Sequence, residues 1–213
     1  MNTFYKEKIV YKALEELDEA LFKKDVAPFE LNVVGGFALM VQSIRASDYT
    51  DVDYVGPTIP DWLKELADEI GLRYGLGRGW LNNDVLLAGN DLEVLEKTVG
   101  KLEFSHAFAL KVISVNALDK ECLLRLKVIA VDTSFSAVLV GYEFTRFKDF
   151  EDIRLLMESL DYSVNDLVEE TYDYVMLPEI FHLIRYYVKT LDQGLFADGK
   201  WKKIIANKGK MPE

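Results

Sequence analysis

Apolar positions recur with two different periods along this chain. Residues 5–23 place Ile9, Ala13, Leu14, Leu17 and Leu21 on one stripe, which predicts an amphipathic helix. After Pro28, a short apolar run ending in Val33 and Val34 predicts a strand over residues 30–34. The apolar segment from Phe37 to Ile44 predicts a helix over 36–44, and residues 51–55 a second strand, closed by Pro57 and Pro60. Leu63, Leu66 and Ile70 repeat at helical spacing over 60–70, with Gly71 as the expected C-terminal stop. Residues 71–90 read as loop with one short apolar segment, GLGRG at 75–79 as a flexible loop, and Trp80 as a packing residue. The alternation FALKVISV at 108–115 reads as a strand on a half-buried sheet. Residues 119–132 predict a strongly apolar helix, and 148–160, 163–175 and 178–192 predict three more.

Strands therefore cluster early and helices late. That order predicts an α/β (α+β) fold, a small mixed β-sheet with flanking helices and a helical C-terminal section. The division expected is 1–160 and 161–213, with a soft boundary near 145–162, or else one single domain.

Composition narrows the picture. Half of the 213 residues are apolar and 12% aromatic, enough for a true core. The net charge of −11 argues against a surface built throughout for nucleic acid. The one cysteine, Cys122, excludes an intramolecular disulfide and suggests no thiolate zinc site. The opening MNTFYKEKIV lacks the apolar core of a signal peptide, and no apolar run reaches the length of a membrane span. The expectation is a cytoplasmic protein with no membrane partner.

The chemistry concentrates in LNVVGGFALMVQSIRASDYTDVDYVG, residues 31–56. Asp51 and Asp53 stand two apart in a predicted strand and so share a face. Hard cations such as Mg²⁺ take oxygen ligands, and such a pair supplies two with little entropy to lose. The other reading is the polar face of a solvated strand. Gly35 and Gly36 either let a phosphate approach the amides of the following helix or make a plain turn that needs positive φ. Arg45 can meet a phosphate or an acidic neighbour such as Asp48, and Ser43 and Ser47 can hydrogen-bond phosphate oxygens. Lys127 lies in an apolar stripe with Leu123, Leu124, Ala130 and Val131 around it, so its ammonium must meet a negative group, a triphosphate or a buried aspartate. Asp149 and Asp152, three apart near a predicted helix start, can be capping charges, partners of Lys127, or further metal-binding or catalytic carboxylates. His182 reads as a core or interface residue, and the lysine-rich end after residue 200, with Trp201, as a solvated terminus or an RNA-backbone contact.

The order Gly35-Gly36, Arg45, Asp51-Val52-Asp53, Lys127 and Arg146-Phe147-Lys148-Asp149-x-x-Asp152 resembles the DNA polymerase beta-like nucleotidyltransferase superfamily. Within it, the chain is similar to the abortive-infection toxin-type nucleotidyltransferases over residues 1–160. The resemblance implies a Mg²⁺-dependent transfer of a nucleoside monophosphate from a nucleoside triphosphate to tRNA, a protein side chain or a small molecule. It implies Asp51 and Asp53 as metal ligands and catalytic residues, joined by Asp149, with Asp152 as second choice. Gly35, Gly36, Arg45, Ser47 and Lys127 would bind the nucleotide, and a toxin–antitoxin partner protein would be in play. Many members carry a third carboxylate on a later strand, where FALKVISV offers Lys111 and no acid. The alternative is therefore an inactive protein of the same fold that serves as an interaction subunit.

Overall fold

The computed structural model describes residues 8–45, 50–83 and 92–208. The chain forms an α/β fold, a mixed five-stranded sheet with flanking helices. It divides into two compact units, Met1–Cys122 and Leu123–Glu213. The sequence places its soft boundary later, near 145–162.

The first unit opens with α1 (Ile9–Lys23), whose stripe Val10, Ala13, Leu14, Leu17 and Leu21 is buried as the spacing predicts. β1 (Phe29–Val33) leads into α2 (Gly35–Val41), shorter than expected because the chain turns at Gln42. β2 (Val52–Val55), α3 (Asp61–Tyr74) and the two-residue β3 (Leu81–Asn82) follow. α4 (Leu92–Val99), with Leu95 and Val99 buried, was not foreseen. The sheet order is β3-β2-β1-β5-β4, with β4 (Phe104–Ala109) and β5 (Ile113–Leu118) antiparallel neighbours. β1 runs parallel to β5 and antiparallel to β2.

Two expectations are corrected here. Gly71 does not stop a helix. It lies inside α3, where any Cβ would collide with the Trp80 ring and the Gly77 carbonyl, and the left-handed cap is Gly75. Trp80 itself is buried, its Nε1 donating to the Ala67 carbonyl at 2.6 Å. FALKVISV is not one strand but spans the turn between β4 and β5. That turn is held by Asp18 of α1, a buried carboxylate accepting from the amides of Lys111, Val112 and Ile113 at 2.9, 2.7 and 2.8 Å.

The division of the chain falls inside α5 (Lys120–Leu139). The second unit continues with α6 (Phe147–Leu160), α7 (Val164–Thr171), a 3₁₀ turn at Tyr172–Tyr174, α8 (Ile180–Thr190) and α9 (Lys200–Ala206). α7 starts with a capping box, the Ser163 hydroxyl and Asp166 carboxylate serving each other's backbone amides. Aromatic rings fill the centre. Phe144 stacks on Phe196 at 3.9 Å, and Trp201 meets Phe135 edge-on at 5.3 Å, so this tryptophan of the lysine-rich end packs in the protein. Asp132, buried, accepts from the Met176 and Leu177 amides at 2.8 and 3.1 Å and ties that loop to α5. No helix among the described residues is long and apolar enough to cross a membrane.

Candidate functional site

The sheet of the first unit has two unlike faces. Leu31 and Val33 in β1, Val52 and Tyr54 in β2, and Ile113 and Val115 in β5 are buried and share one face by alternation and register. α1 covers that face, with Tyr11 5.1 Å from the Phe108 ring. The other face carries the polar residues. Asn32 stands opposite Asn116 of β5, Asn116 opposite His106 of β4, Glu30 opposite Ser114, and Asp53 opposite Asn82 of β3. Val55, opposite Asn32, and Leu118, two residues past Asn116 in β5, are buried apolar members of this face.

Asp53 belongs to the polar face, and Asp51 immediately precedes β2. Both are half-exposed and they flank Val52, which is fully buried. Backbone pairing brings Asp53 to the glycine turn, its carbonyl accepting from the Val34 amide at 2.9 Å. Gly35 is left-handed at φ +62°, and a Cβ there would lie 2.7 Å from Asp53 Oδ2. The carboxylate thus occupies the space that a side chain at position 35 would fill. Gly36 follows in the first turn of α2, where Val34 offers no side-chain cap. Arg45 is half-buried beyond the end of α2. Ser47 and Asp48 lie outside the described residues.

Lys127 and Asp149 belong to the second unit, where the structure brings them together with Asp152. Lys127 Nζ lies 2.6 Å from Asp149 Oδ1 and 2.7 Å from Asp152 Oδ2. Both carboxylates are fully buried, and Arg146 Nε approaches Asp149 Oδ2 at 3.2 Å. The two Oδ2 contacts are ion pairs without hydrogen-bond alignment. Burial pulls the Lys127 pKa down, but the two carboxylates more than offset it and hold it above the ordinary lysine value. Of the two partners the sequence left open for Lys127, the aspartates are the ones it meets.

Asn32, Asn116, Asn82 and His106 were not singled out as site residues from the sequence. The reason is local. The strand read at 108–115 ended one residue short of Asn116, and alternation within the true β5 (Ile113, Val115, Ala117 inward) would have found it.

The chemistry of the donors suits a hard cation. Two carboxylates two residues apart would fit Mg²⁺, which keeps waters and takes further oxygens from phosphates. No group of three or more His, Cys, Asp or Glu side chains able to hold a metal occurs among the described residues. No family model, no curated protein and no solved structure matches this chain.

Proposed function

We propose that the polar sheet face binds a Mg²⁺–nucleoside triphosphate at Asp51 and Asp53 and that the chain is a nucleotidyltransferase. In the reaction, an acceptor hydroxyl oxygen bonds to the α-phosphorus. The bond from that phosphorus to the bridging oxygen breaks, pyrophosphate leaves, and the hydroxyl proton passes to solvent. Bound Mg²⁺ would supply positive charge against the phosphate oxygens. The observation that carries this reading is the Asp53 carboxylate lodged against left-handed Gly35, with Asp51 half-exposed two residues before it. A side chain at position 35 would displace the carboxylate, so glycine and aspartate work as one unit. The net charge of −11 favours a cationic small acceptor over RNA.

A second reading has its own observation. The resemblance implies a third carboxylate on a later strand, and the two central strands present on this face an amide pair, Asn32 and Asn116, instead. That favours a nucleotide-binding interaction subunit without transfer activity, of the kind a toxin–antitoxin pair would use.

A thermal-shift panel separates these readings. It takes the four ribonucleoside triphosphates with and without Mg²⁺, on wild type and on Asp51→Asn/Asp53→Asn. A ligand at ~100 times its dissociation constant adds about 2.7 kcal/mol. The expected result is a Mg²⁺-dependent shift that the double variant loses. An equal shift in the variant, or none with any nucleotide, refutes the site. Binding without pyrophosphate release over a panel of acceptors selects the interaction subunit.

A further inference from the structure

The two central strands of the sheet carry asparagines directly across from each other. Asn is among the residues least suited to strands, and β1 and β5 each have a neighbour on both sides. Sequence positions that break a local preference this way are where function is expected. Asn116 Nδ2 donates to Asn32 Oδ1 at 3.0 Å, and both residues are half-buried. Among the described residues, Asn32 Nδ2 and Asn116 Oδ1 have no further partner. The pair thus turns outward one donor and one acceptor, side by side. Exchanging the ends of both amides gives the same outward pattern, one donor and one acceptor.

Position adds the rest. Asp53 pairs across β1 at the level of Val34, and Asn32 pairs with Val55, so Asn32 stands on a diagonal from Asp53. Such diagonals span about 7–8 Å on a sheet. That is the reach from a metal-held phosphate to the sugar of the same nucleotide. A vicinal diol offers a donor and an acceptor at each hydroxyl and can satisfy both free amide atoms at once.

Resting on the nucleotide reading above, we infer that the Asn32–Asn116 carboxamide pair binds the ribose 2′ and 3′ hydroxyls of the nucleotide whose phosphates lie at Asp51 and Asp53. The pair is a specificity element, selecting ribonucleotides over sugars that lack the diol.

The test measures Mg²⁺-dependent affinity for each of the four ribonucleoside triphosphates and its 2′,3′-dideoxy counterpart. It uses wild type, Asn116→Val and, as a second and independent variant, Asn32→Val. Valine suits a strand and carries no polar group, and a melting curve checks that each variant folds. Wild type is expected to favour the ribose form about tenfold, and either variant to bring the two forms within about twofold of each other. If wild type binds both forms equally, or the variants keep the preference, the amide pair does not read the sugar and the nucleotide reading stands without it. If wild type binds neither form, the nucleotide reading itself falls and takes the inference with it.

Discussion

Gly35 combines a left-handed backbone at φ +62° with the Asp53 carboxylate where a side chain would go. Alanine there meets two penalties. The left-handed conformation costs a residue with a Cβ about 1–2 kcal/mol, and the new methyl must push Asp53 Oδ2 aside. Gly35→Ala is therefore expected to lower the melting temperature and to abolish the Mg²⁺–nucleotide shift. Gly36→Ala, one residue on and outside the positive-φ set, is expected to keep both. Melting curves with and without ligand decide it, and a Gly35→Ala protein that binds normally would uncouple the glycine from the site. At this scale the glycine turn at Gly35 and the strand that carries Asp53 were legible, because a period of two and a glycine turn are local facts. The partner of Lys127 was legible only as a choice, since an apolar stripe shows that a charge must be met, and Asp149 and Asp152 stood among the candidates beside a triphosphate. The answer lay 22 residues further on, in Asp149.

Elements were legible where one stripe or one alternation persisted, as in α1, α6 and α8, and failed where a single side chain overrode the pattern. FALKVISV alternates well enough for one strand, yet it folds as a turn because Asp18 of α1 gathers three successive amides there. Nothing local in the sequence links Asp18 to residues 111–113, and an acidic residue amid helix positions 15–19 reads as solvated surface. Gly71 misled for the same reason, its role being set by Trp80 from the next element. Hydrogen bonds to a charged acceptor are worth about 1.5–3 kcal/mol each, and the stranded amides would lie at a buried turn. Asp18→Ala is expected to cost about 3 kcal/mol or more in denaturant unfolding. Asp18→Asn, keeping one acceptor oxygen, is expected to cost less. A loss under about 1 kcal/mol for Asp18→Ala would mean that the α1 contact does not hold the hairpin.

Two groups of the second unit, His182 and Lys127, contribute to the pH dependence of the whole molecule. Burial, then the nearby Arg185 charge and that of Lys208, hold the His182 pKa below its ordinary 6.5, with Glu179 acting the other way. The unfolded chain then binds a proton that the folded chain refuses, so stability is complete above pH 6.5 and declines as pH falls from there toward the folded value. His182→Gln is expected to flatten that limb of the melting-temperature profile. On the alkaline side the sign reverses. Lys127 is held above its ordinary 10.5, so its contribution is complete below that pH and is lost as pH rises through the elevated value. Lys127→Met strips the cation from two fully buried carboxylates, a change of about 3–5 kcal/mol at neutral pH. If Lys127 serves the fold in this way, Mg²⁺–nucleotide affinity in Lys127→Met stays at the wild-type value wherever both proteins are folded. A loss of affinity at a pH where both melt well above the assay temperature would instead return Lys127 to the nucleotide, with the aspartates as its resting partners.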